Sequence, residues 1–237
     1  MERRCDSAAP AGSIAALTAC VLAGVALAQT PEQTAETSAP AAQAAQAAPP
    51  PAPLQGDAHR GRELSYTCLG CHGIDGYRNA YPDYSVPKLE GQNAEYLTSA
   101  LHDYRKGDRS HLTMHSQASE LSDQDIADIS VFFAGKPLTG SGKAQGTVPK
   151  AAMVCVSCHG QYGVAIAPMY PSLAGQHQDY LVRALEEYQH GGRKNPIMKG
   201  MVASLKPADF AEIAAYFSAL RPALKTEPRP YTRFSSQ

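Results

Sequence analysis

The chain has no excess of charge of either sign: 21 lysines and arginines stand against 22 aspartates and glutamates in 237 residues. A nucleic-acid binder would show a basic stripe, so that class is set aside. Cysteine is scarce and none is spare. Of six, Cys5 and Cys20 lie in the extreme N-terminus, and the others are Cys68, Cys71, Cys155 and Cys158. Once the N-terminus is removed, no thiol is left over for a disulfide or a nucleophile. Alternation of period two is never sustained long enough to suggest a sheet, which leaves an all-α chain of one or two domains.

The apolar run over 14–28 falls short of the ~20 residues that a membrane span needs. Arg3 and Arg4 precede it and Ala26-Leu27-Ala28 closes it, which predicts a secretory signal peptide over 1–28, cut before Gln29. The alternatives are an uncleaved anchor, giving membrane association through the N-terminus, or a lipoprotein built on Leu17-Thr18-Ala19-Cys20. More apolar chain follows Cys20, which counts against the second. Residues 29–54 are almost only Ala, Pro, Gln, Thr and Glu, too poor in apolar surface to offset chain entropy. They read as a disordered spacer.

What is present is a pentapeptide found twice, Cys68-Leu69-Gly70-Cys71-His72 and Cys155-Val156-Ser157-Cys158-His159. C-x-x-C-H is the attachment signature of c-type haem. Two thiols three residues apart can each add to a vinyl group, and the next side chain, His, then sits under the iron as proximal ligand. A zinc site is the alternative, but paired C-x-x-C knuckles usually lie ~15–20 residues apart. Here Cys71 and Cys155 are 84 positions apart.

The repeat extends well beyond the pentapeptides. A shift of 84 lays Pro87, Leu89, Gly91 and Gln92 on Pro171, Leu173, Gly175 and Gln176. It continues through Tyr104 on Tyr188, Arg109 on Arg193, Met114 on Met198 and Leu121 on Leu205. The pentapeptides need a shift of 87, so copy one carries three extra residues within the Tyr-rich stretch 77–86. Each copy reads as helices. Tyr96, Leu97, Ala100, Leu101 and Tyr104 form one helical face between a cap at Asn93 and a stop at Gly107, with a counterpart over 178–189. A closing helix starts at Ser122, with Ile126, Ile129, Phe132 and Phe133 inward. Its counterpart starts at Pro207 and buries Phe210, Ile213, Tyr216 and Phe217.

C-x-x-C-H-G-x-x-G, P-x-L-x-G-Q, a helix ending Y-x-x-G-x-R, a Met, and a last amphipathic helix together resemble class I cytochrome c. In tandem the pattern resembles the dihaem cytochrome c4 family, over roughly 55–222. Domains are expected at 55–138 and 150–225, joined by a linker at 139–149 within a stretch rich in Gly, Ser and Lys, and a tail at 226–237 falls outside the resemblance. The resemblance implies two covalent haem c groups on Cys68, Cys71, Cys155 and Cys158, with His72 and His159 as proximal ligands. Pro87 and Pro171 would offer those histidines a carbonyl that fixes tautomer and ring plane; alternatively they only turn the chain.

Met114 and Met198 coincide under the repeat and are assigned as the second axial ligands. Met201 competes with Met198, but its partner in copy one is Gln117. His111 and His115 flank Met114 and could make a bis-His site. Copy two holds Asn195 and Lys199 at those places, so the two are read as surface residues. Arg109 and Arg193 either pair with haem propionates or are solvated. The expected function is a periplasmic one-electron carrier, not an enzyme, whose partners are redox proteins such as a quinol-oxidising complex and a terminal oxidase. The rival readings are a dihaem enzyme, peroxidase-like or sulfur-compound oxidising, and a subunit of a membrane oxidase or dehydrogenase complex.

Overall fold

Nine helices, α1 to α9, carry the fold among the described residues, and they fall into two lobes that follow the repeat. The computed structural model describes residues 54–136, 138, 146–221 and 223–228. The expected signal peptide and nearly all of the expected spacer lie outside the described residues, as do most of the linker and of the tail. No described helix is long and apolar enough to cross a membrane. Beyond isolated bridge pairs, no strand forms among the described residues.

In the first lobe, α1 (Ala58–Leu64) is capped by Asp57, whose carboxylate accepts from the His59 and Arg60 N–H groups. It crosses α5 (Asp123–Ala134) at Gly61, where a Cβ would overlap the Asp128 carbonyl oxygen, so only glycine permits the approach. The one-turn helix α2 (Leu69–His72) holds the first pentapeptide. Helix α3 (Ala94–Lys106) follows Asn93 and stops at Gly107, whose left-handed backbone ends the helix without a Cβ penalty. After the short α4 (Leu112–Ser119), α5 begins with a capping box between Ser122 and Asp125.

The second lobe repeats the plan with a 3-10 turn (Lys150–Ala152) in place of α1. Helix α6 (Val156–His159) holds the second pentapeptide, and α7 (Gln178–His190) ends at left-handed Gly191. Helix α8 (Pro196–Val202) and α9 (Pro207–Ala219) both begin with proline in the first turn. Sequence periodicity finds α3, α5, α7 and α9. It does not find α1, α4 or α8, and Met114 and Met198 sit on α4 and α8. Those helices have seven or eight residues, too short for a periodic stripe to show.

Each lobe has its own core. Leu69, Leu97, Ile129 and Phe133 pack the first. Leu181, Leu185, Val202, Phe210, Ile213, Phe217 and Leu220 pack the second. The lobes meet through reciprocal pairs of equivalent residues. The backbones at Arg109 and Arg193 form an antiparallel bridge, in which the Ser110 N–H donates to the Gly192 carbonyl at 2.7 Å and the Lys194 N–H donates to the Asp108 carbonyl at 2.8 Å. Such pairing is the pattern of an isologous dimer interface, here between two copies in one chain.

Candidate functional site

One turn of helix places each pentapeptide. The His72 N–H bonds the Cys68 carbonyl at 2.9 Å and the His159 N–H bonds the Cys155 carbonyl at 3.0 Å. That turn sets the two cysteines of each copy three residues apart on one side. No disulfide joins Cys68, Cys71, Cys155 or Cys158. Among the described residues no three His, Cys, Asp or Glu side chains gather as a bare metal ion would need, so a four-cysteine zinc site has no geometry here.

In each lobe the pentapeptide opens on a cavity walled mainly by apolar side chains. The first is bordered by Cys68, Cys71, His72, Pro87, Leu97, Leu101, Met114, Ile129 and Phe133. The second is bordered by Cys155, Cys158, His159, Pro171, Leu181, Leu185, Met198, Ile213 and Phe217. His72 Nδ1 lies 2.8 Å from the Pro87 carbonyl oxygen, and His159 Nδ1 lies 2.8 Å from that of Pro171. A carbonyl only accepts, so Nδ1 carries the proton and Nε2 keeps its lone pair for a metal. Burial lowers both histidine pKa values against the opposing pull of the carbonyl, which favours the neutral imidazole.

The methionines occupy one local position in both lobes. Met114 is the third residue of α4, and its N–H donates to the His111 cap at 3.2 Å. Met198 is the third residue of α8, and its N–H donates to the Asn195 cap at 3.0 Å. His111 is therefore not a plain surface residue. It is half-buried, and an N-cap needs an acceptor, which a neutral imidazole supplies as an asparagine does. Met201 also borders the second cavity but is 45% exposed, whereas Met198 packs against the core.

Arg109 and Arg193 are buried, 6% and 4% exposed, which overturns the solvated reading. Arg109 lies over Tyr96 at 5.3 Å and over Tyr104 at 5.5 Å. Arg193 lies over Tyr180 at 5.3 Å and over Tyr188 at 5.6 Å. Both are cation–π contacts, in which the ring face attracts the guanidinium. Each arginine also has a carboxylate: Asp103 at 3.5 Å from Arg109, and Glu187 at 2.7 Å from Arg193. Arg109, Tyr96 and Tyr180 border both cavities. The stretch 77–86 supplies Tyr84, buried against His111 and Tyr180, whose hydroxyl burial pushes up to about 12.

Two cysteines, a histidine with Nε2 free and apolar walls fit a covalently held haem, and a methionine borders each cavity. The family model for cytochrome c matches residues 58–134 and again 149–221. The chain belongs to the cytochrome c family. Within it, this cytochrome is similar to cytochrome c4 of Pseudomonas aeruginosa, 36% identical over 182 residues that cover 70% of this chain and 89% of the relative. It is also similar to the crystal structure of reduced cytochrome c4 from Pseudomonas stutzeri, with a TM-score of 0.56 and 30% identity. That match covers 70% of this chain and 99% of the other. A protein of Stutzerimonas stutzeri described as a thiosulfate dehydrogenase electron acceptor is 29% identical, over 64% of this chain and 77% of its own. The cytochrome is a dihaem, cytochrome c4-like electron carrier. Two haem c groups are covalently attached, one at Cys68 and Cys71 and one at Cys155 and Cys158.

Sequence reasoning missed the burial of the Arg–Tyr cage and the role of Tyr84. It also missed the return of the segment after α9, where Leu224 is buried and the Lys225 backbone exchanges N–H···O bonds with that of Glu90 in the first lobe, at 3.0 and 3.1 Å. The repeated arginines and tyrosines were a signal for the cage. Nothing in the sequence signals the pairing of Lys225.

Proposed function

We propose that His72 with Met114, and His159 with Met198, bind the two haem irons, and that the cytochrome carries single electrons in the periplasm between a quinol-oxidising complex and a terminal oxidase. When bound, haem c supplies a one-electron couple at its iron. The observation that supports the reading is that each cavity is bordered by both a histidine with Nε2 free and a methionine at the third position of a capped helix. With both donors engaged, no coordination position stays open for a substrate, which separates a carrier from a peroxidase-like enzyme. The apolar walls exclude water from the site, and the Pro87 and Pro171 carbonyls hold the imidazoles in one tautomer. Around the second cavity Val154, Met169, Ile197 and Met201 are exposed, an apolar rim on which a redox partner can dock briefly.

The relative described as a thiosulfate dehydrogenase electron acceptor supports a second choice of donor, a sulfur-compound dehydrogenase, with the same carrier chemistry. Stopped-flow mixing decides between the donors. The oxidised cytochrome is mixed with a quinol-oxidising membrane fraction or with a thiosulfate dehydrogenase, and the reduced form with oxidase-containing membranes. Reduction by the first donor and reoxidation by the oxidase are expected. A ferrous protein that binds carbon monoxide readily, or that turns over peroxide, overturns the carrier reading.

A further inference from the structure

The peptide units that hold the two histidines are themselves held from the opposite lobe. The Pro87 carbonyl faces His72 Nδ1, and the N–H of that same peptide unit, on Lys88, donates to Gln176 Oε1 at 2.9 Å. In the second lobe the Pro171 carbonyl faces His159 Nδ1, and the Ser172 N–H donates to Gln92 Oε1 at 2.8 Å. Each glutamine closes the contact with a second bond. Gln176 Nε2 donates to the Lys88 carbonyl at 2.9 Å, and Gln92 Nε2 donates to the Ser172 carbonyl at 2.9 Å. Both glutamines are 4% exposed, and the next backbone N–H pins each Oε1, at 3.0 Å from Asn93 and 3.1 Å from His177. Gln92 and Gln176 are equivalent under the repeat, as are Lys88 and Ser172, so the arrangement crosses between lobes in both directions.

We infer that Gln92 and Gln176 are crossed positioning residues, each setting the hydrogen bond on the axial histidine of the other lobe and so tying each haem's reduction potential to the seating of the opposite lobe. This rests on His72 and His159 being iron ligands. Hydrogen bonds in a chain polarise one another, so a peptide whose N–H is engaged has a more strongly accepting carbonyl. A stronger acceptor at Pro87 draws the Nδ1 proton and raises the basicity of the ligand, which favours ferric iron. Loss of Gln176 therefore raises the potential of the first-lobe haem and not that of its own lobe. Simple adhesion between the lobes predicts no such crossing.

The test is a redox titration of the full dihaem protein followed by NMR, which reads each haem through its own methyl signals. Gln176→Met keeps length and bulk without either polar contact. It is expected to shift the reduction equilibrium of the haem on Cys68 and Cys71 toward ferrous by about three- to tenfold, or about 30–59 mV for one electron, and to leave the other haem nearly unchanged. Gln92→Met is expected to give the mirror result. Equal shifts of both haems, a shift of the glutamine's own lobe, or no shift in either variant overturns the inference. Should the methionine variants fail to fold, Gln176→Asn and Gln92→Asn, which draw the amide back by one methylene, carry the same crossed expectation. Imidazole signals of His72 and His159 at the iron in the unaltered protein test the ligation itself. Their absence sinks the ligand reading, whereas their presence without crossed shifts sinks only the inference about the glutamines.

Discussion

Met198 and Met201 lie one helical turn apart beside the same cavity, and the difference between them is local. The Met198 N–H is fixed by the Asn195 cap and its side chain packs on the core, while Met201 is nearly half exposed. With Met198 as the proposed iron ligand, its replacement by Ala removes a thioether that favours ferrous iron, so that haem's potential is expected to fall and the site to open. Carbon monoxide added to the reduced variant should then bind about half of the haem. Met201→Leu should leave both the spectrum and the potentials unchanged. Carbon monoxide binding by the Met201 variant alone would reverse the assignment.

At the scale of the element, the start of α5 shows what the sequence can encode without help. The Ser122 hydroxyl accepts from the Asp125 N–H at 3.1 Å, and the Asp125 carboxylate accepts from the Ser122 N–H at 3.0 Å. Ser122→Ala is expected to cost about 1 kcal/mol in denaturant unfolding. The Ser122 hydroxyl and N–H, together with Arg60, hold the Asp125 carboxyl down at about 2. A depressed carboxylate stabilises the fold above its ordinary range, and the contribution is lost as pH falls through the folded value. The stability gap between the native protein and Asp125→Asn should therefore be full above about pH 4 and close toward about pH 2, within that linkage. A gap that stays constant over this window would show that the cap does not act through its charge.

For the whole molecule the extra residues of copy one act as a clasp. Within 77–86, the Ser85 N–H and hydroxyl and the Arg78 guanidinium all donate to Asp179 of the second lobe, at 2.8, 2.9 and 2.8 Å. Desolvation works against that charge, but the bonds from Ser85 and the Tyr180 N–H, with the Arg78 charge, together outweigh it and the carboxyl is held below its usual value. Asp179→Ala should speed amide exchange across 77–86 and loosen the cover that Tyr84 gives the first cavity. In the unaltered protein the same loosening is expected as pH drops below the ordinary carboxylate range and Asp179 takes up a proton. Mass-resolved hydrogen exchange reads both, and unchanged protection at Ser85 and Val86 would count against the clasp.

The haem-attachment pentapeptides are legible in the chain because each depends on neighbours a few residues away, and the duplication is legible because local motifs recur at a shift of 84. One turn of helix is enough to put Cys68, Cys71 and His72 on one wall, and 3.6-residue periodicity is enough to declare α3, α5, α7 and α9. Family membership and the two haems follow from the same local motifs. What only the tertiary structure decided is whatever depends on how the two lobes pack. The burial of Arg109 and Arg193 between tyrosines, the clasp on Asp179 and the crossing of Gln92 and Gln176 are all of this kind. A glutamine in a turn reads the same whether it is solvated or buried. Its partner is set by how two lobes with complementary backbone groups meet, since a buried amide must find its hydrogen bonds wherever the fold supplies them.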